Sequence, residues 1–184
     1  MVNNLLRYPK ITQADFMQTL KYLTGYPTET IAKVQQLVAD NRLGDVLLQR
    51  YPIPHEVRTD KQLYDYAVSL KNQFMNRASP LNRVAYDSKI KVIEQALGQH
   101  HYISRVQGNK LKSVNEIKIA SLFRETPEAF LKMIVVHELA HFKEKEHNKS
   151  FYQLCRHMEP QYHQYEFDLR LYLTHLDLHG KLYS

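Results

Sequence analysis

The stretch from Phe130 to Phe142, FLKMIVVHELAHF, limits what this chain can fold into more than any other part of it. Apolar side chains fall almost all the way around a helical wheel: Phe130, Leu131, Met133, Ile134, Val135, Val136, Leu139 and Ala140. A helix of this kind has no solvent face, so it belongs in the core, packed on a sheet and covered by other elements. Thr126-Pro127-Glu128 supplies its start, with a capping hydroxyl, a proline at the first helical position and an acid in the first turn. Into this buried helix the sequence inserts His137, Glu138 and His141. Burying such groups is costly unless something pairs with them, and a metal ion would do so. Residues four apart lie one above the other on a helix, so His137 and His141 can close on one ion with Glu138 beside it.

The rest of the chain supports a single α+β unit. At 184 residues it can bury a core without staples, and the one cysteine, Cys155, rules out an internal disulfide and fits a reducing compartment. Its helical setting with Phe151, Leu154 and Met158 makes it a core thiol rather than a nucleophile. Residues 1–80 read as a mainly helical region, with helices over Ala14–Thr24, Thr28–Asn41 and Asp60–Asn76. Residues 81–184 read as the metal-binding catalytic region, the two forming one compact unit. In it, Val84–Tyr86, His101–Val106, Lys110–Val114 and Glu116–Leu122 are short strand-like segments that predict a small, mostly antiparallel sheet, and Asp87 or Ser88 can cap a helix running to Leu97. His100 and His101 at the entrance of this sheet lack a spaced third partner and read as ordinary histidines. After the apolar helix, Ser150 with Gln153 suggests a capping box, Pro160 a break, and Tyr162–Leu178 a last amphipathic helix.

Two histidines do not complete a catalytic zinc site, which takes three protein ligands and leaves a position for water. His147 follows His141 by six residues. In a continued helix it would point away, so it can join the pair only if the chain leaves the helix near Glu144–Glu146 and folds back. The competing third ligands are Glu159 and Glu166 on later helices. The spacing HExxHxxxxxH matches the metzincin ligands, but Glu144 stands where those proteins have glycine. Glu138 is the expected general base, taking a proton from a water activated by zinc or another divalent ion. A further donor to the developing charge is expected from among Tyr152, Arg156, Tyr162 and Tyr165.

HELAHFKEKEHNKSFYQL, together with RLGDVLLQRYP and SRVQGNKLKSVNEIKIASLF, resembles the YgjP-like metallopeptidase-domain family. The resemblance implies a zincin-like domain with zinc held by His137, His141 and His147, and Glu138 catalytic. It is distantly similar to the SprT-like proteases as well, except that Asn148 replaces the glycine that follows their third histidine. Members are called metallopeptidases largely for the motif, and bacterial members also carry the name UTP pyrophosphatase.

Three functions follow as expectations. The leading one is a zinc-dependent hydrolase of metallopeptidase type, acting on a peptide or protein. The alternative is a UTP pyrophosphatase acting on a nucleotide. The third is a DNA- or partner-binding protein with a structural zinc, since the net charge of +6 includes basic residues at Lys89, Lys91, Arg105, Lys110, Lys112, Lys118 and Arg124. A signal-like N-terminus and an uncharged span of bilayer length are both missing from the sequence, so a soluble, cytoplasmic protein is expected.

Overall fold

A computed structural model describes residues 20–90 and 115–183. The expected helix to Leu97, His100 and His101, the strands at His101–Val106 and Lys110–Val114, and most of the expected first helix lie outside these residues. The chain divides into two compact units, one formed by residues up to Pro52 and from Asp168 onward, the other by Ile53–Phe167.

The first unit is helical. A 3-10 turn at Leu20–Leu23 precedes α1 (Thr28–Ala39) and α2 (Leu43–Arg50). Val34 and Val38 of α1 and Leu43 and Leu47 of α2 are buried at the four-residue spacing of one helical face. The α2 helix was not expected from the sequence; it is only two turns long, and Gly44 sits inside it. The unit's buried carboxylate, Asp168, accepts from Arg50 Nη1 at 2.8 and 2.6 Å and from the Tyr51 hydroxyl at 2.7 Å. Charge-assisted bonds of this kind offset the cost of burying an ionised group.

The second unit holds the sheet and the apolar helix. Its first helix, α3 (Asp60–Phe74), starts with a capping box in which Thr59 accepts from the Gln62 backbone and the Gln62 side chain returns to Thr59. Two strands follow, β1 (Arg83–Asp87) and β2 (Glu116–Ala120). Their pairing corrects the antiparallel expectation: they run parallel, in register Arg83 to Glu116 through Asp87 to Ala120. A hairpin turn can only join antiparallel neighbours, and residues 88–115 between these strands are numerous enough for the crossover that parallel neighbours need. Ile117 and Ile119 alternate with Lys118 along β2 as their spacing predicts, but Ala120, expected on the open face with Lys118, is buried as well.

A 3-10 segment, Ser121–Glu125, leads into α4 (Glu128–Ala140), which packs against β2, α3 and α5 (Lys149–Met158). Nine of its thirteen residues are buried, among them Phe130, Ile134, Val136 and His137. Burying each large apolar side chain contributes about 1.5–3 kcal/mol, which is why this helix is the unit's centre. Its start differs from the expected one. Thr126 makes no cap; its hydroxyl donates to the Phe123 carbonyl at 3.1 Å, and Pro127 occupies the cap position itself. The last helix, α6 (Tyr162–His179), begins after the break at Glu159–Pro160. Among the described residues no helix is long and apolar enough to cross a membrane.

Candidate metal centre

The α4 helix ends where the sequence needs it to. His141 is its C-cap, and the Lys143 and Glu144 amides both return to the Ala140 carbonyl at 3.0 Å. This closing turn reverses the chain, the Asn148 amide bonds Glu146 O at 2.7 Å, and His147 is carried back over the helix end. The next helix, α5, is capped by Asn148, whose Oδ1 accepts from the Phe151 amide at 2.9 Å, and not by Ser150. Asn148 has φ −86°, an ordinary extended conformation, so the glycine found there in SprT-like proteins is not required by this backbone.

The result is a convergence of three imidazoles. His141 Nε2 lies 3.3 Å from His137 Nε2, and His147 Nε2 lies 3.2 and 3.1 Å from those of His137 and His141. His137 and His141 are buried and His147 is half-buried. Among the described residues this is the group of three whose atoms can hold a metal ion. The Glu166 and Glu159 carboxylates are not part of it. Glu166 lies 3.6 Å from His163, and Glu159 pairs with Lys132 at 2.6 Å and accepts from the Gln161 amide.

Whether an ion fits can be judged from the nitrogens themselves. An ion about 2.0–2.1 Å from each would see them roughly 100–110° apart, close to the tetrahedral angle zinc takes. The proton positions agree. His141 Nδ1 lies 3.0 Å from the Glu144 carbonyl, which can only accept, so Nδ1 carries the hydrogen and Nε2 presents a lone pair to the centre. Burial holds the pKa of His141 below the usual imidazole range despite the Glu144 carbonyl, and burial does the same for His147. Both are therefore neutral near pH 7, the form a metal requires.

Aromatic rings hold the imidazoles in place. Phe151, fully buried, has its ring centroid 5.0, 4.6 and 4.7 Å from those of His137, His141 and His147. It forms a shared apolar wall behind all three, one turn beyond His147 on the capped helix. Sequence reading places Phe151 at the end of the ligand-turn-helix stretch that starts at His147 but gives it no role at the site; its spacing of four from His147 is the available signal. Tyr162 also has a different place from the one considered for it. Its hydroxyl meets His137 Nδ1 at 2.7 Å, behind the ligand nitrogen, and is not free to meet a developing oxyanion. Tyr152 has its ring 6.3 Å from that of His147. Glu138 is half-buried and follows His137 by one residue, about 100° around the helix.

A cleft of about 470 Å³ adjoins the end of α4. Phe142 and Lys143, directly after His141, line it together with Phe74, Arg77 and Asn115. Among the described residues neither the Arg77 nor the Lys143 side chain has an ion pair or a hydrogen bond. Two exposed cations, two phenyl rings and an amide are thereby gathered at the end of α4.

Two comparisons with known proteins place the chain in a family. A family model described as "YgjP-like, metallopeptidase domain" matches residues 108–172, which include the three histidines and Glu138. A protein of Escherichia coli (strain K12) named UTP pyrophosphatase is 60% identical over 162 residues, covering 88% of this chain and 97% of its own. No solved structure matches. Identity at this level over nearly the whole length of both proteins means that the chain belongs to the YgjP-like metallopeptidase-domain family and is a metal-dependent hydrolase.

Proposed function

We propose that this protein is a nucleoside-triphosphate pyrophosphatase that converts UTP and water to UMP and diphosphate, with zinc held by His137, His141 and His147 and Glu138 as general base. The single observation that carries the metal chemistry is the mutual 3.1–3.3 Å approach of three imidazole nitrogens at the end of a buried helix. The substrate is supported by the name of the 60% identical relative and by the cationic cleft beside Phe142. Zinc is favoured over harder ions because all three donors are imidazoles.

When bound, zinc supplies Lewis acidity, which makes water a usable nucleophile near pH 7 and withdraws charge from a phosphoryl oxygen. Glu138 takes a proton from the attacking water. The new bond forms from the water oxygen to the α-phosphorus, and the bond from that phosphorus to the bridging oxygen breaks, its electron pair leaving with diphosphate. Arg77 and Lys143 hold the β- and γ-phosphates, and so stabilise the charge that accumulates on the leaving group. The rings of Phe74 and Phe142 offer the nucleobase an apolar surface. Phe151 keeps water away from the inner side of the ligands, which strengthens the electrostatic interactions at the site.

The metallopeptidase reading shares the same histidines and the same base, and the family description retains that word. The two readings part at the substrate. Metal-loaded protein incubated with a nucleotide panel and a peptide library, with Glu138→Gln as control, is the deciding experiment. UMP and diphosphate from UTP, lost in the variant and in chelator, are expected. Cleavage of peptides with every nucleotide left intact would overturn the pyrophosphatase reading in favour of the peptidase.

A further inference from the structure

Lys71 stands where the amphipathic pattern of α3 calls for an apolar residue. The buried face of that helix runs Leu63, Ala67, Leu70 and Lys71, and the lysine is 7% exposed. A lysine at such a position normally lays its stem along the apolar surface and gives its ammonium to an acid or to open water. Neither is found here. Among the described residues the amine has no ion pair and no hydrogen bond. The acids of neighbouring elements are turned to other partners: Asp65 pairs with Lys61 at 2.7 Å, Glu159 with Lys132 at 2.6 Å, and Glu128 accepts from the Tyr66 hydroxyl at 3.3 Å. Nζ is also not among the atoms closed off without a partner, so the little exposure the residue keeps includes its ammonium. The charge therefore ends at a narrow opening instead of in bulk solvent, where leaving it uncompensated costs stability.

Residues three and four positions apart are neighbours on a helix surface. Those that follow Lys71 are Phe74 and Met75, and both line the cleft of about 470 Å³ at the end of α4. The Met75 amide closes on the Lys71 carbonyl at 2.7 Å, so the lysine belongs to the last turn before the cleft. Arg77 and Lys143 line the same cleft from the loop after α3 and the turn after α4, and both are exposed. We propose that Lys71 is a substrate-binding residue, a buried cation at the floor of this cleft that, with Arg77 and Lys143 at its rim, takes the diphosphate portion of a nucleoside triphosphate. This rests on the reading above that the substrate is a nucleotide. Three cations from three separate elements match an ion that carries several negative charges on adjacent phosphoryl groups; a peptide carboxylate carries one and would leave two of them unanswered. A buried ammonium also holds an anion more strongly than an exposed one, because less water competes for it and salt screens it less. Diphosphate is the leaving group of the proposed reaction, so Lys71 stabilises the charge that collects there.

The test compares full-length, zinc-loaded wild type, Lys71→Met and Lys71→Gln, with zinc content checked by elemental analysis. Methionine keeps an unbranched stem of similar length and helix propensity and removes the charge. Three quantities are read: the urea midpoint without ligand, the affinity for inorganic diphosphate by titration calorimetry, and KM for UTP. Lys71→Met should unfold at a urea concentration equal to or above that of wild type, because an uncompensated buried charge is gone. Its affinity for diphosphate should fall roughly 10–100-fold, the size expected for one charge-assisted bond at a buried position, and KM for UTP should rise by a similar factor. Lys71→Gln should lose affinity in the same way. A merely structural lysine gives the opposite pattern, a lower urea midpoint with diphosphate affinity unchanged. That result overturns the proposal, as does failure of both variants to fold or of the wild type to bind diphosphate. Wild type that binds diphosphate through Lys71 yet leaves UTP intact would refute the pyrophosphatase reading and leave this anion site standing. UTP hydrolysis with diphosphate affinity and KM indifferent to position 71 would do the reverse.

Discussion

Among the described residues two stretches, the end of α4 and the end of α6, carry histidines four residues apart, and one of the two pairs joins a group of three that could hold a metal ion. On α4, His137 and His141 are joined by His147, and the Nδ1 atoms of the helical pair face a tyrosine hydroxyl and a backbone carbonyl. On α6, His175 and His179 have ring centroids 5.0 Å apart, and His175 is 5% exposed with no hydrogen-bond partner for Nδ1. Its ring packs so closely on Gly44 that a Cβ there would meet Cε1 at 2.8 Å. The spacing is the same in both places. The difference lies in the reversal of the chain after His141, which brings a third nitrogen, and in the partners that hold each ring's second nitrogen. Spacing of four is therefore a necessary part of the site and a poor detector of it when taken alone.

The largest effect expected from breaking the α4 group is chemical. Glu138→Gln should lower kcat by about 10²–10⁴-fold, the range for loss of a general base, while zinc stoichiometry measured by elemental analysis stays at the wild-type value. Next is ligand loss. His147→Ala should reduce zinc affinity by more than about 100-fold in chelator competition, whereas His175→Ala should leave it unchanged; equal effects would erase the distinction between the two pairs.

The α6 pair should reveal itself in stability. Burial, reinforced by His179 and opposed by Asp45, lowers the His175 pKa from 6.5 to about 4. Above pH 6.5 the ring is neutral in both folded and unfolded chains, and the full stability is present. Between about pH 6.5 and 4 the unfolded chain takes up a proton that the folded one refuses, so stability should fall by roughly 2–3 kcal/mol across that window. Urea unfolding of the metal-free protein at several pH values measures it, and His175→Gln should flatten this part of the profile. The smallest effect concerns the cleft. Arg77→Ala and Lys143→Ala should each raise KM for UTP about tenfold, with zinc affinity unchanged in both, because each loses one charge-assisted contact at an exposed position.

Local rules were readable wherever a residue's neighbours in sequence are also its neighbours in space. The apolar wheel from Phe130 to Ala140 announced a buried helix, the break at Pro160 separated α5 from α6, and the alternation of Ile117 and Ile119 marked a strand. Caps were less legible, because several residues near a helix start can serve. Thr126 and Ser150 both have the right hydroxyl, yet Thr126 bonds Phe123 and Asn148 takes the cap of α5. Strand direction was misjudged because it depends on the path of the residues between β1 and β2, which leaves no mark in either strand's pattern.

What the sequence determined by itself is the buried helix and the three imidazoles along one short stretch, since periodicity and burial constrain both. Tertiary structure alone decided that the three Nε2 atoms meet within 3.3 Å, that Phe151 backs all of them, and that Tyr162 stands behind His137. Tyr162 lies twenty-five residues from His137, and no spacing rule links positions so far apart. Their meeting is fixed by the packing of α4 and α5 and the start of α6 in one core, where each buried polar atom must find a partner.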